Sequence, residues 1–294
     1  MRFLVTGATG FLGWRSSVLL TERGHDVIAL SRPGGAERTA ASDLDVVRLD
    51  VGDPRARALV AGCDAVLHFA GVPDPAGARA DPAGAVRANA GTTLNLLEGC
   101  REHGAALLYP STVRAGVEPP PDPYALSKRL GEEACRLHPA RATVLRLTSV
   151  FGPGAVAWEG ATGAIASFSA RALEGAPIVI PGDPARARDF VYVDDLVIAL
   201  ELVAEQGRWN ETLTVASGVP TPLLRAAELV RDAASSQSEI STPGGNLPAG
   251  ENESYRVDES VARLDFPARP LEEGVQLYVD WLSRHPAAEG RARA

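Results

Sequence analysis

Tyr124 and Lys128 stand four residues apart in the run Pro-Tyr-Ala-Leu-Ser-Lys, a spacing that stacks a phenol and an ammonium on one face of a helix. Such a pair can do proton chemistry. A lysine cation beside a tyrosine favours the phenolate and lowers a phenol pKa from about 10 toward neutrality, where the side chain gives or takes a proton during turnover. The same spacing is common on solvated helix faces, so its meaning depends on the elements that hold it.

The N-terminal residues supply that context. Arg2 to Thr6 reads as a short buried strand around Phe3-Leu4-Val5. It runs into Thr6-Gly7-Ala8-Thr9-Gly10-Phe11-Leu12-Gly13 and then an apolar-spaced helix through Val18, Leu19 and Leu20. Glycines at 7, 10 and 13 permit a tight strand-to-helix turn, a close backbone approach by pyrophosphate and close helix-to-strand packing, while N–H groups at the helix start face the anion. The spacing is G-x-x-G-x-x-G rather than the G-x-G-x-x-G fingerprint. Its place between the first strand and first helix, in a unit that closes with Asp26-Val27-Ile28-Ala29-Leu30, identifies a nucleotide loop.

Strands are expected near 2–6, 26–30, 45–49, 65–69, 105–109 and 143–147, alternating with helical stretches. That is the pattern of a doubly wound parallel sheet in an α/β protein. After Gly152-Pro153-Gly154 the chain changes character, with Pro/Gly-rich joints around 175–184, 218–222 and 243–250. The expected organisation is a dinucleotide-binding domain over 1–150, rejoined by about 190–217, and a smaller substrate-binding domain over 151–189 and 218–285. Segment 235–254 is polar and expected to be mobile, and 286–294 is expected to be a disordered tail.

Composition bounds the partners. A chain of 294 residues, 45% apolar, can bury a sizeable core, and its net charge of −8 argues against nucleic-acid or anionic-membrane binding. Local arginines must then attract a polyanionic ligand. With three cysteines, Cys63, Cys100 and Cys135, a strand at the very start and no run approaching about 20 apolar residues, the expectation is a cytoplasmic protein with buried free thiols. The five histidines show no metal spacing, so no metal is expected.

Together the glycine loop and Tyr-x-x-x-Lys resemble the extended short-chain dehydrogenase/reductase family, also called the NAD-dependent epimerase/dehydratase family. The resemblance extends along the chain through Leu49-Asp50-Val51, Asp64-Ala65-Val66-Leu67-His68-Phe69-Ala70, Asn89-Ala90-Gly91-Thr92 and Ser111-Thr112. It continues through Leu145-Arg146-Leu147, Phe151-Gly152-Pro153-Gly154, Arg188-Asp189-Phe190-Val191-Tyr192-Val193-Asp194-Asp195 and Leu271-Glu272-Glu273-Gly274. It implies a Rossmann sheet with a small C-terminal domain over the substrate. It also implies that Thr112, with Ser111 as alternate, hydrogen-bonds the reacting oxygen beside Tyr124, and that Lys128 also holds the nicotinamide ribose. Asn89 supports the hydrogen-bond network or caps the helix that follows it. Gly7, Gly10, Phe11, Leu12 and Gly13 would cradle the cofactor, Asp50 and Val51 would touch its adenine, and Phe69, Ala70 and Gly71 would line its path. The family's usual residue at 71 is alanine, so Gly71 should loosen that wall. Helices near 85–103 and 124–137 resemble those of family homodimers.

Cofactor choice is read at the end of the second strand. An acidic residue there hydrogen-bonds the ribose hydroxyls of NAD; here the residues are Ser31-Arg32, a hydroxyl and a guanidinium suited to a 2′-phosphate. NADP(H) is therefore favoured over NAD(H), with Arg15 and Arg38 as further candidates. Downstream of Thr112 the chain reads Val113-Arg114-Ala115-Gly116, without the Asp-Glu that resembling 4,6-dehydratases carry and without a cysteine for 3,5-epimerisation. What remains needs only hydride transfer and one proton. Arg188 resembles the family arginine that contacts the diphosphate of a nucleotide sugar, or else pairs with Asp189 or Asp195. Arg256 substitutes for a second phosphate arginine absent from Gly244-Gly245-Asn246-Leu247-Pro248. The leading expectation is an NADP(H)-dependent reductase of a 4-keto-deoxysugar linked to a nucleotide. Alternatives are a nucleotide-sugar 4-epimerase with tightly bound NAD, a reductase of a non-sugar ketone, and a non-catalytic NADP-sensing regulator.

Overall fold

Short apolar runs bounded by glycine and polar turns fold as parallel strands when helices cover both faces of the sheet. In the computed structural model, which describes residues 1–34, 44–161, 163–245, 260–289 and 291, the chain forms two compact units. One comprises Met1–Leu147, Leu196–Val215 and Val257–Phe266, and the other Thr148–Asp195, Ala216–Arg256 and Pro267–Ala294.

The first unit is built on β1 (Arg2–Thr6), β2 (Asp26–Ser31), β3 (Val46–Arg48), β4 (Ala65–His68), β5 (Ala106–Thr112), β6 (Ala142–Leu147) and, later in the chain, β10 (Thr212–Val215). Their order is β10-β6-β5-β4-β1-β2-β3, with every pairing parallel. The order reverses between β1 and β4. Right-handed crossovers on either side of that point send helices to opposite faces and leave a crevice beyond the strand ends, where doubly wound sheets bind ligands. Helices α1 (Phe11–Glu22), α2 (Pro75–Ala80), α3 (Pro82–Val86), α4 (Thr92–His103) and α5 (Pro123–Leu137) follow the strands, and a π-helical turn, Arg87–Gly91, joins α3 to α4. Leu4, Leu30, Val66, Leu96, Leu97, Leu107 and Tyr109 fill the core, with Cys63, Cys100 and Cys135 among them as free thiols. Burial pushes the Cys100 thiol up to about 12, so it stays protonated. Strand β5 continues three residues beyond its expected end, which makes Ser111 and Thr112 strand residues facing opposite sides. A further return to this unit went unread in the sequence: a bridge pairs Thr214 with Arg263.

In the second unit, β7 (Ser149–Phe151) runs parallel to β9 (Ala187–Tyr192), and β11 (Pro220–Pro222) runs antiparallel on the other side of β9. Strand β8 (Ile178–Pro181) pairs with β12 (Ile240–Gly244), so the expectation of mobility from 235 fails for the part that forms β12. The remainder of that segment, 246–254, lies outside the described residues. Helices α6 (Ala164–Leu173), α8 (Leu223–Ala233) and α9 (Leu271–Ser283) complete the unit, and α7 (Val193–Glu205) starts in it. Phe151 packs edge-on against Phe190, Tyr192 and Tyr278. The stretch from Pro286 is not structureless throughout. It opens with a 3₁₀ turn, Pro286–Ala288, capped by His285 on the Ala287 N–H, with Ala288 buried.

At the start of α1 the packing is backbone on backbone. A Cβ at Gly13 would lie 2.3 Å from the Gly7 carbonyl oxygen, so Gly13→Ala should lower the unfolding free energy by about 1–3 kcal/mol. At Gly91, in the π-turn with helical angles, an added Cβ meets nothing within 4 Å. Gly91→Ala should therefore leave stability unchanged or raise it by up to about 1 kcal/mol. Urea unfolding of the two variants against wild type checks both.

Candidate active site

Three loops converge at the reversal between β1 and β4. Gly7 takes φ +68°, and a Cβ there would stand 2.8 Å from the Ala70 nitrogen and 2.9 Å from the Phe69 carbonyl carbon. Only glycine allows this approach, so Gly7 and Phe69-Ala70 meet backbone to backbone. The Gly10 N–H donates to the Gly7 carbonyl at 2.8 Å and closes the turn, and α1 begins at Phe11 with no side-chain cap. The first-turn N–H groups of α1, on Phe11, Leu12 and Gly13, have no partner within their own helix. A glycine-lined turn, an uncapped helix start and the sheet's reversal point together fit the pyrophosphate of a dinucleotide.

Beneath this loop lies a buried polar chain that the sequence did not disclose. His68 sits between Thr6 Oγ1 (2.8 Å from Nδ1) and Thr92 Oγ1 (3.1 Å from Nε2). The Thr92 hydroxyl donates to the Ala88 carbonyl at 2.6 Å, and the Ala70 N–H donates to Thr6 Oγ1 at 3.1 Å. Each hydroxyl has one proton, which assigns the imidazole: Nε2–H donates to Thr92, and bare Nδ1 accepts from Thr6. Burial, aided by the Lys128 charge, lowers the His68 pKa to about 3 and keeps it neutral. His68 thus ties β1, β4 and α4 together under the cofactor loop.

At the end of β2, Ser31 is buried and its hydroxyl lies 2.8 Å from Thr9 Oγ1. It ties the glycine loop to β2, while Arg32, the other residue expected at a 2′-phosphate, is exposed. Arg15 lies 4.0 Å from Glu22, and Arg38 falls outside the described residues. Asp50 is exposed, with Oδ1 taking the Gly52 N–H at 2.7 Å. Val51 is buried, and its carbonyl accepts from Asn95.

Asn89 does not cap a helix. It sits within the π-turn, and its amide faces Val72 as a strand neighbour would: Oδ1 accepts from the Val72 N–H at 2.8 Å, and Nδ2 donates to the Val72 carbonyl at 3.1 Å. The other Nδ2 proton goes to Ser127 Oγ at 2.8 Å, and Ser127 donates to the Tyr124 carbonyl at 2.8 Å. The bracket also explains Gly71. Its φ is +154°, and a Cβ would stand 2.2 Å from Asn89 Oδ1. Gly71 does not loosen the wall; it makes room for Asn89. Ser127, three residues after Tyr124 on α5, was legible only as part of the helical run.

The two hydroxyls of β5 part company. Ser111 donates to Glu132 Oε1 at 2.5 Å, a carboxylate held also by Arg146 (NH2 to Oε2, 2.7 Å). That leaves Thr112 as the hydroxyl with a proton to give, since its oxygen accepts the Arg114 N–H at 3.3 Å. Helix α5 starts with Asp122 as N-cap on the Ala125 N–H at 2.9 Å, followed by Pro123 and Tyr124. Lys128, one turn on, is buried and donates through Nζ to the Pro110 carbonyl at 2.9 Å, 4.9 Å above the Tyr109 ring. Burial brings Lys128 down to about 8, opposed by Glu132. The expected lowering of the Tyr124 phenol is not found: burial pushes it up to about 12, with Arg114 acting to lower it and Asp122 and Asp74 to raise it. The helix spacing is as expected, but the Lys128 ammonium turns to a carbonyl, and desolvation dominates.

Arg188 belongs to the second unit, where it is buried on β9 and donates to the Ala187 carbonyl at 2.9 Å. The carboxylates considered as its partners are well supplied. Asp189 accepts from Thr148, from Ser217 through both N–H and hydroxyl, and from Gly218, while Asp195 is gripped by Arg269 through two nitrogens and the backbone N–H. Arg256 lies outside the described residues. A metal-like grouping that sequence spacing hides is His25, Glu201 and Glu205, with ligand atoms within 4.8 Å of one another. Arg23 and His25 each approach a Glu201 oxygen at 2.6 Å, so both Glu201 oxygens are engaged by neighbouring side chains. Among the described residues no helix is long and apolar enough to cross a membrane.

Comparison with known proteins agrees with this geometry. Residues 3–216 match the family described as "NAD dependent epimerase/dehydratase family". The chain is 28% identical to the dTDP-4-dehydro-6-deoxy-D-allose reductase of Streptomyces bikiniensis, with 96% of each chain covered. It is 27% identical to a dTDP-glucose 4,6-dehydratase of Streptomyces antibioticus, over 96% of this chain and 92% of that one. Its fold is similar to that of the UDP-glucose 4-epimerase of Thermotoga maritima, solved with UDP-glucose, at a TM-score of 0.83 and 25% identity over 97% of this chain and 99% of that one. The UDP-glucose 4-epimerase of Thermus thermophilus, solved with NAD, gives 0.80 at 25% identity over the same shares. With a glycine turn at the sheet's reversal and Tyr124 and Lys128 one turn apart on α5, the chain belongs to the NAD dependent epimerase/dehydratase family of enzymes.

Proposed function

We propose that this enzyme reduces the 4-keto group of a nucleotide-linked deoxysugar, with NADP(H) as its preferred cofactor. The observation that carries this reading is the set of proton-bearing groups: Thr112 and Tyr124 offer hydroxyls, and the residue two beyond Thr112 is an arginine paired with Asp122. That set serves hydride transfer plus one proton. It holds no acid-base pair for dehydration. The reductase of Streptomyces bikiniensis, similar over nearly its full length, supports the same choice.

The glycine loop and the start of α1 would hold the pyrophosphate, and Arg32 a 2′-phosphate. The nicotinamide, when bound, supplies hydride to the ketone carbon. Thr112 donates a hydrogen bond to the carbonyl oxygen, and its own oxygen is fixed by the Arg114 N–H. Tyr124 is a protonated phenol at neutral pH, so it gives its proton to the oxygen as the C–O double bond becomes a carbinol. Lys128, held on the Pro110 carbonyl, keeps a positive charge on the same helix at neutral pH. Arg188 would bind the diphosphate. A second reading, 4-epimerisation with retained NAD, is favoured by the likeness to UDP-glucose 4-epimerases; exchange of bound cofactor with added NADPH separates the two. Leu94 on α4 and Leu126 and Leu130 on α5 are 48%, 43% and 40% exposed, an apolar patch that fits a homodimer contact through these helices.

Tyr124→Phe should cut kcat on a dTDP-4-keto-6-deoxyhexose by on the order of 10²–10⁴-fold while cofactor affinity stays near wild type. More than half of wild-type turnover, with chemistry rate-limiting, would remove Tyr124 as the acid. Arg32 carries the charged part of the cofactor preference, with the Ser31 hydroxyl beside it on Thr9. Calorimetry should find NADP(H) tighter than NAD(H), and Arg32→Ala should shrink the difference by roughly 10–150-fold; equal wild-type affinities would refute the preference. Arg188→Ala should raise KM for the nucleotide sugar by roughly 10–150-fold with a smaller fall in kcat, since a remote diphosphate is held alike in ground and transition states. A wild-type enzyme equally efficient on a free keto sugar, unaffected by Arg188→Ala, would point to a substrate without a nucleotide.

A further inference from the structure

The turn after β5, Val113–Gly116, departs from the family pattern, and its Arg114 is buried against Asp122. Their side chains are 9% and 5% exposed. Buried ion pairs add little net stability compared with apolar groups of the same volume. The use of this one is to be sought in what its ends hold. At one end, the Arg114 N–H donates to Thr112 Oγ1. At the other, Asp122 accepts the Arg114 guanidinium while its Oδ1 caps α5 through the Ala125 N–H, two residues before Tyr124. A single residue therefore joins the supports of both hydroxyls, its backbone holding Thr112 and its side chain holding Asp122.

The same pair brackets the Tyr124 phenol electrically. Arg114 favours the phenolate, and Asp122 opposes it. Among the described residues the other charged group acting on Tyr124 is Asp74, on the segment after β4, with Oδ1 taken by the Ala76 and Gly77 N–H groups, while Lys128 on the same helix is turned to the Pro110 carbonyl. Removing one member of the pair exposes the phenol to the other's charge, so the two removals must act with opposite signs.

We propose that Arg114 is a positioning residue of the Tyr124 centre: its ion pair with Asp122 fixes the Thr112 turn to the start of the Tyr124 helix and sets two opposed charges against the phenol. The inference rests on the reading of Thr112 and Tyr124 as the reacting hydroxyls, and its test has a readout independent of turnover. In full-length protein labelled with ¹³Cζ-tyrosine, the Tyr124 signal is assigned by its loss in Tyr124→Phe and followed against pH. Asp122→Asn keeps an acceptor for the cap and removes the charge; it should move the titration down by on the order of one pH unit. Arg114→Met should move it up, and the double variant should return to within about half a unit of wild type. Arg114→Lys should hold the titration near wild type. On a dTDP-4-keto-6-deoxyhexose, Arg114→Met should lower kcat by about 10–100-fold with KM within about threefold, and Arg114→Lys should recover part of it.

Titrations that do not move, or that move the same way in Asp122→Asn and Arg114→Met, overturn the charge balance. Should Arg114→Met fail to fold, Asp122→Asn and Arg114→Lys decide alone: the first must shift downward and the second must not shift. An inactive Tyr124→Phe with unmoved titrations sinks this inference only. Full turnover in Tyr124→Phe sinks the reaction reading beneath it.

Discussion

The backbone-to-backbone contact at the reversal of the sheet governs the rest of this molecule. Gly7 can touch the Phe69–Ala70 peptide, and Gly13 the Gly7 carbonyl, only because none of the three points carries an intervening Cβ. That closeness fixes α1 hard against the end of β1 and turns its first N–H groups toward the crevice. A helix start buried without partners would be costly. One left open at a crevice is an anion site, and in a chain of net charge −8 it supplies local positive potential that side chains overall do not.

Behind the crevice, polar groups are consumed in structural bonds before chemistry begins. His68 uses both ring nitrogens, Asn89 both amide protons and its oxygen, and Ser111 its hydroxyl. Each of these bonds joins separate elements, as the Val72–Asn89–Ser127 series shows, and Ser127 then holds the Tyr124 carbonyl within α5. Satisfied networks of this kind rigidify what they join. The groups left with something to donate, Thr112 and Tyr124, are held by the elements so braced. The two hydroxyls of β5 are separated by subtraction: Ser111 and Thr112 are adjacent and alike, but strand alternation gives one to Glu132 and presents the other to the opposite face.

Much of the fold was legible because it is written in local patterns. Short apolar runs, glycines three apart and a Tyr124–Lys128 interval of four are local signals, and they survive as β1 to β6, the turn into α1 and α5. What sequence reading missed or misplaced are contacts without a period. Arg114 and Asp122 lie eight residues apart across two turns, His68 and Thr6 lie 62 apart, and Thr9 reaches Ser31 across 22. No local pattern marks which group a buried neighbour will claim, so the sequence left Asn89 open between a network role and a helix cap, and the bonds to Val72 and Ser127 are the network. The short strand β12 was hidden for the opposite reason: its residues are polar and largely exposed, and it exists through pairing with β8.

The direction of the Tyr124 shift shows why residue spacing alone cannot set reactivity. A lysine one turn away would make the phenol acidic if their charges faced each other across a low-dielectric gap. Here the ammonium is spent on a carbonyl, burial penalises the phenolate, and the nearest opposed charges are bound to one another. A phenol kept protonated is fitted to give a proton rather than to take one. In the direction of ketone reduction that is the required state, whereas alcohol oxidation needs a further positive charge close enough to offset the burial. The protein alone therefore biases its tyrosine toward the acid role, and any reversal of that role has to be carried by what binds beside it.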